Sequence, residues 1–308
     1  QERIILTIPY MSLNKSLKGL GVALITPFCA DKSIDWEALR QLVRNVSCGQ
    51  QHADFLVVLG TTAETPTLSA SEREEVRRFV VAENNGHLPL VLGLGGNSTA
   101  AVVEELGSTD LSGYSAILSV TPYYNKPSQE GLYQHFKAVS EASTLPIILY
   151  NVPSRTGVNL KADTTLRLAE DCPNIIGIKE ASGITSQAGT ILRKRPKGFM
   201  VWSGDDVLTL PWMALGADGV ISVVGNAFPQ EMASLVHNAL ERNVAPAAEM
   251  HHSLAEFMSL IFVDGNPSGV KCAMKELGLI KEILRLPLTP VSDETHKKIA
   301  NFIKNFRG

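Results

Sequence analysis

Short runs of consecutive apolar residues alternate along the chain with longer stretches of helical period. The runs are Val22–Ile25, Phe55–Leu59, Leu88–Leu92, Ala116–Val120, Pro146–Tyr150, Ile175–Lys179, Phe199–Trp202 and Gly219–Val223. Near-continuous apolar runs of this length predict strands of a parallel sheet covered on both faces. The intervening stretches predict helices with readable starts. Asp35 is placed to cap a helix carrying Ala38, Leu39, Leu42 and Val43, and Ser71-Glu72-Arg73-Glu74 reads as a capping box before Val76, Phe79 and Val80. Ser128 is placed to open the helix of Leu132, Phe136 and Val139. Asp163 serves that of Leu166 and Leu168, and Thr185 or Ser186 that of Ile191 and Leu192.

Eight strand signals in strict alternation with helices predict a (β/α)8 TIM barrel over residues 21–243. A doubly wound open sheet is the competitor. Its dinucleotide form needs G-x-G-x-x-G after the first strand, and Thr26-Pro27-Phe28 stands there instead. The loop Gly93-Leu94-Gly95-Gly96-Asn97 follows the third strand and continues with Ser98, which is not that fingerprint either. Beyond Asn243 the pattern is helical only: residues 246–262, 269–277 and 293–306. Residues 244–308 therefore read as a C-terminal helical appendage, with Pro246 suited to the first position of its helix. Residues 1–20 read as an extension and lead-in, with Met11 a candidate natural start.

Composition narrows the class without changing the fold. The 308 residues are 44% hydrophobic and 19% charged, with a formal net charge of −3. That is ordinary globular composition and points to neither nucleic acid nor an acidic membrane surface as a partner. No apolar run is long enough to span a bilayer. Cys29, Cys48, Cys172 and Cys272 are too scattered for a zinc site or a disulfide framework, so four reduced, mostly buried thiols in a cytoplasmic protein are expected. The seven histidines include no H-E-x-x-H and fall mostly on helices or at the opposite end of the barrel, so no metal is expected. Asp205-Asp206 is the best remaining metal candidate, but adjacent carboxylates point apart and suit loop ordering or capping better.

In a barrel the site lies at the carboxyl ends of the strands. Those ends carry Thr61 and Thr62 after strand 2, Thr121-Pro122-Tyr123-Tyr124 after strand 4, and Tyr150 through Gly157 at strand 5. Lys179 closes strand 6, Ser203-Gly204-Asp205-Asp206 strand 7, and Ile221 and Ser222 strand 8. The rim therefore offers one amine, an arginine, and tyrosine and threonine hydroxyls. This set suits imine chemistry. A lysine attacks a ketone only as the neutral amine, which an apolar barrel interior favours over the ammonium. Hydroxyls can move protons through the carbinolamine and imine steps. Thr61 and Thr62 are suited to seat a small carboxylate, and the fork of Arg155 to seat a second. The alternative for Lys179 is a strand-end lysine that reaches to solvent.

Four motifs occur in order: Gly60-Thr61-Thr62-x-Glu64, Val120-Thr121-Pro122-Tyr123-Tyr124, Tyr150-Asn151-Val152-Pro153-Ser154-Arg155-Thr156-Gly157 and Gly177-Ile178-Lys179-Glu180. Together they resemble the dihydrodipicolinate synthase family of class I lyases and aldolases, from about Gly21 to the C-terminus. The resemblance implies that Lys179 forms a Schiff base with pyruvate, with Tyr150 transferring protons above it. Thr62, Tyr150 and Tyr124 would form a hydroxyl relay, Tyr124 reaching into a neighbouring subunit. Thr61 and Thr62 would hold the pyruvate carboxylate, with Ile221 beside it and Gly204 lining the pocket. Arg155 would receive the carboxylate of aspartate semialdehyde. A homotetramer built as a dimer of dimers, with no metal or organic cofactor, is implied as well.

The chain departs from the family pattern in two places. Ala63 stands where the family usually has a second glycine, which costs stability only if that position needs φ > 0. In a region where some relatives bind lysine as a feedback inhibitor, Asn97 and Tyr123 match. Ala70, Arg73 and Ala101 replace two histidines and a glutamate, so weak or absent lysine inhibition is expected. Two other readings stay open: a sibling pyruvate lyase acting on sugar acids, and a non-catalytic barrel. Arg155, Thr62 and the Asn266-Pro267-Ser268-Gly269-Val270-Lys271 segment favour the synthase over the sibling.

Overall fold

The computed structural model describes residues 17–307. The expected extension before Met11, and Met11 itself, lie outside the described residues. Eight parallel strands close into a barrel in sequence order: β1 (Gly19–Ala23), β2 (Phe55–Val58), β3 (Leu90–Gly93), β4 (Ala116–Val120), β5 (Ile147–Asn151), β6 (Ile175–Glu180), β7 (Met200–Ser203) and β8 (Gly219–Ser222). β1 pairs with β8 to complete the ring, Gly19 opposite Gly219 and Ser222 opposite Val22. The first strand starts three residues before the apolar run and ends at Ala23, so Thr26 lies in the loop beyond it.

Side chains separate into two apolar layers. Phe55, Val57, Val91, Leu118, Ile148, Tyr150, Ile176, Met200, Trp202 and Ile221 fill the barrel interior. Outward-facing Leu56, Val58, Leu90, Leu92, Ile147, Leu149 and Ile178 pack under the helices. Apart from one irregularity in β6, alternate residues of a strand serve opposite layers, as the two-residue period of the pleat demands.

Helix starts follow local capping chemistry, with corrections to the sequence reading. Asp35 accepts from the Ala38 N–H, and Ser128 from the Gly131 N–H, both as expected. The capping box is formed by Ser69 with Glu72, two residues before the expected Ser71, and opens the helix Ala70–Asn84. Both Ser69 with Glu72 and Ser71 with Glu74 have the three-residue spacing of a box; the helix begins at Ala70, which makes Ser69 the cap and leaves Ser71 inside the first turn. Asp163 lies inside the first turn of the helix Ala162–Asp171, which Lys161 precedes without a side-chain cap. Its carboxylate still favours that end through the helix dipole. Ile184 precedes the helix Thr185–Lys194. Pro246 is the third residue of the helix Val244–Leu260, where the backbone N–H is still unused.

The helices Val244–Leu260, Ser268–Glu276 and Asp293–Arg307 complete the chain. Aromatic rings join them to the last βα unit: Phe228 meets Phe257 edge-on at 4.8 Å, and Phe257 stacks on Phe302 at 5.3 Å. Such pairs add to the burial of the rings themselves. All four cysteines are free thiols; Cys172 and Cys272 are buried, whereas Cys29 is half-buried and Cys48 exposed, so fewer are buried than expected. Among the described residues no helix is long and apolar enough to cross a membrane.

Candidate active site

The position of Lys179 is set by a slip in strand pairing. Ile147 pairs with Ile175, but Ile148 pairs with Gly177, so β6 carries one extra residue against β5. Ile176 faces the interior. Gly177 also faces inward, and a Cβ there would stand 2.7 Å from the Trp202 ring and 2.4 Å from the Met200 carbonyl oxygen. Two successive inward residues reverse the alternation downstream. Ile178 then packs outward, and Lys179 turns inward opposite Tyr150. Without the bulge, alternation counted from Ile176 would send the lysine into the helix layer.

Lys179 is buried, and its Nζ lies 4.4 Å from the centre of the Tyr150 ring. Among the described residues its Nζ forms no hydrogen bond or ion pair. The next residue, Glu180, is fully buried on the other face, where Asn151, Gln187 and the Ser182 N–H donate to it. Strand alternation expected it to point away from the interior. Gly204 leaves room for the amine: a Cβ there would stand 3.1 Å from Lys179 Cε and 2.6 Å from Ala181 Cβ.

The other expected site residues differ in burial and in partners. Thr61, Thr62 and Ala63 form a short 3-10 turn after β2, with Thr62 buried and Thr61 half-buried. Positive φ falls on Leu59 and Glu64, not on Ala63, so alanine costs nothing there. Ile221 and Tyr150 belong to the same interior layer. Arg155 lies on the turn Pro153–Thr156 and donates from Nη2 to the Asn266 carbonyl at 3.3 Å. Tyr124 stands apart: it is 90% exposed, at φ 73°, and its hydroxyl has no hydrogen-bond partner among the described residues.

Asp205 and Asp206 do the structural work expected of them. Asp205 caps a turn through the Val207 N–H. Asp206 accepts from the Ser222 hydroxyl and the Val223 and Val224 N–H groups, which holds the loop after Ile221. Burial pushes its carboxyl above the usual range.

Sequence reasoning passed over the contribution of the C-terminal region to this rim. Asn266 Nδ2 donates to Thr62 Oγ1 at 3.1 Å. Lys271 forms a fully buried ion pair with Glu64, whose other oxygen accepts from the Arg285 N–H at 3.1 Å. Burial lowers the Lys271 ammonium to about 8 despite the carboxylate beside it. Both residues stand in a segment that the sequence singles out, but spacing alone could not show that it reaches the Gly-Thr-Thr turn 204 residues earlier.

A closed parallel barrel whose mouth holds a buried amine, unpartnered among the described residues, is the framework of a (β/α)8-barrel enzyme. A sequence profile of the Dihydrodipicolinate synthetase family matches residues 16–306, and the chain belongs to this family. It is 52% identical over 295 residues to the 4-hydroxy-tetrahydrodipicolinate synthase of Phocaeicola vulgatus, covering 96% of this chain and 99% of that protein. It is 53% identical over 289 residues to that of Parabacteroides distasonis, covering 94% and 97%. Among solved structures, dihydrodipicolinate synthase from Aquifex aeolicus superposes with a TM-score of 0.90 at 41% identity, covering 94% of this chain and 98% of that one. A monomeric dihydrodipicolinate synthase variant gives 0.92 at 39% identity, covering 96% and 98%.

Proposed function

We propose that this chain condenses pyruvate with L-aspartate-4-semialdehyde to 4-hydroxy-tetrahydrodipicolinate, a step of lysine and diaminopimelate biosynthesis, through a Schiff base on Lys179. The observation that carries the reading is the buried Lys179 amine over the Tyr150 ring, free of any carboxylate among the described residues. Its lone pair adds to C2 of pyruvate, and water leaves to give the imine. Loss of a C3 proton gives the enamine, whose C3 attacks the aldehyde carbon. The amine of the adduct then adds to C2 and displaces Lys179 as the ring closes. Tyr150 and Thr62 move the protons, Thr61 and Thr62 seat the pyruvate carboxylate beside Ile221 and Gly204, and Arg155 takes the second carboxylate.

The relay is completed by Tyr124 of a second copy. Its exposed side chain, held out at φ 73°, supports that role in a homotetramer assembled as a dimer of dimers. The protein works in the cytoplasm, where its free thiols stay reduced. The experiment is borohydride reduction with pyruvate followed by peptide mass analysis. A pyruvyl adduct on Lys179 is expected, and its absence sinks the Schiff-base reading. Consumption of aspartate semialdehyde, rather than N-acetylmannosamine, identifies the second substrate.

Regulation is read from a shallow groove of about 370 Å³ lined by Ala70, Arg73, Arg77, Ala101, Glu104 and Glu105 among others. Ala70, Arg73 and Ala101, one guanidinium and two methyl groups, stand in place of the two histidines and the glutamate expected of a lysine site, which leaves position 101 without a carboxylate for an ammonium ion. Millimolar lysine is expected to leave the initial rate nearly unchanged; half-inhibition in the low micromolar range would refute this.

A further inference from the structure

The C-terminal region reaches the site through Asn266, which is buried just before the helix Ser268–Glu276. Its Nδ2 lies 3.1 Å from Thr62 Oγ1. An amide nitrogen can only donate, whereas a hydroxyl has one proton and two lone pairs. Thr62 is therefore the acceptor in this bond, and its own proton is left for another partner. Turning the amide over would reverse that: the oxygen would take the Thr62 proton, and both amide hydrogens would face away from Thr62. As placed, the atom left without a partner is the buried Oδ1. Buried acceptors without partners are commoner than buried donors without them, which favours the orientation seen. The Asn266 backbone is fixed as well, since its carbonyl accepts from Arg155 at 3.3 Å. One residue thus ties the turn of Thr62 to the arginine across the mouth.

We propose that Asn266 is a positioning residue that aims the Thr62 hydroxyl proton into the barrel mouth, toward the groups reacting on Lys179. The inference rests on the assignment of Thr62 to the proton relay. Asn266 touches neither substrate in this role; it acts through Thr62. An aspartate at position 266 is nearly isosteric but, when ionised, only accepts. It would capture the Thr62 proton and disable the relay. Once protonated, the acid can donate as the amide does.

The test measures kcat and KM for pyruvate from about pH 8 down to about pH 6, the range in which a buried carboxyl can titrate, for wild type and for T62V, N266L and N266D. For N266D, kcat relative to wild type is expected to fall about a hundredfold at the alkaline end and to recover at least about tenfold at the acid end, within the reach of general acid–base effects. N266L should lose about tenfold in kcat at every pH. The KM for pyruvate should move little in either variant, and borohydride trapping on Lys179 should persist. An N266D enzyme that matches wild type, or that tracks N266L at every pH, overturns the proposal. If N266D does not fold, N266L decides: equal losses in kcat and 1/KM overturn it. Full activity in T62V removes Thr62 from the relay and the proposal with it. Failure of wild-type Lys179 to trap pyruvate strikes the Schiff-base reading instead.

Discussion

Two lysines are buried among the described residues, and they live under opposite conditions. Lys179 Nζ lies 4.4 Å from the Tyr150 ring and Lys271 Nζ 4.2 Å from the Phe28 ring, so each rests against an aromatic face. Lys271 also has an ion pair with Glu64 and a hydrogen bond of 2.9 Å to the Ile283 carbonyl. Lys179 has neither kind of partner among the described residues. A buried amine with no carboxylate or carbonyl to hold it keeps its nitrogen available to a ligand. A buried lysine with a carboxylate and a carbonyl is committed to structure. Burial alone therefore does not mark a reactive amine; burial without compensation does.

Substitution by methionine, which keeps much of the volume, separates the two. Lys179→Met should lower kcat/KM by at least about a thousandfold, as loss of a nucleophile does. Its melting temperature should stay level or rise, because no partner is orphaned. Lys271→Met should do the reverse in stability: about 3–5 kcal/mol lost, as when one partner of a buried ion pair is removed and the other is left behind. The orphan here is Glu64, at φ 55° in the turn that follows Thr62. A K179M variant that unfolds easily, or a K271M variant as stable as wild type by urea denaturation, would break the comparison.

The difference between the two lysines was partly legible in the sequence. An apolar run ending in Lys179 at a strand terminus, with hydroxyls at the neighbouring strand ends, was enough to propose imine chemistry. The eight-strand alternation was enough for the barrel, because each strand is covered on both faces and reads as a continuous run. What could not be read is the bulge. Ile175-Ile176-Gly177-Ile178 is uniformly apolar, so no polar position marks where the alternation reverses. Nor could the Glu64–Lys271 pair be read, since 207 residues separate its members and neither lies in a pattern that implies the other. Helix starts are legible to within two residues; Ser69-x-x-Glu72 and Ser71-x-x-Glu74 overlap with the same spacing, so the pattern alone does not say which serine caps.

The space around Lys179 gives a smaller effect. Gly204→Ala would place a methyl 3.1 Å from Lys179 Cε, and only 2.6 Å from Ala181 Cβ and 3.2 Å from the Glu180 carbonyl oxygen. The amine must then shift by a fraction of an ångström. A displacement of that order should lower kcat about tenfold to a hundredfold. Gly189→Ala is the control: it lies in the helix Thr185–Lys194, and a Cβ there meets nothing within 4 Å. It should leave activity unchanged and add about 0.5–1 kcal/mol of stability. A G204A enzyme with wild-type kcat would show that the lysine is not held against this glycine.

The smallest effect tests the paired side of the comparison, where a second ion pair sits beside the first. Arg285 lies 4.4 Å over the Phe28 ring that Lys271 also faces, and it binds Glu72. This pair is partly open to water, with Arg285 15% and Glu72 26% exposed. The Arg285 guanidinium holds the Glu72 carboxyl down at about 2. A carboxyl whose folded-state value is depressed stabilises the fold above its unfolded value, about 4.5. That stabilisation is lost as pH falls from there toward 2. Because water screens a half-open pair, its contribution near neutrality should be about 1 kcal/mol. Urea denaturation of wild type and Glu72→Gln should therefore differ by about that amount near pH 7, and the gap should close as the pH is lowered below about 4.5. Salt should narrow the gap at neutral pH and leave the K271M deficit in place, since a fully buried pair is out of reach of screening ions. Equal salt sensitivity in the two variants would mean that Glu64 and Lys271 are not sealed from solvent in solution, and that compensation at Lys271 is weaker than its surroundings indicate.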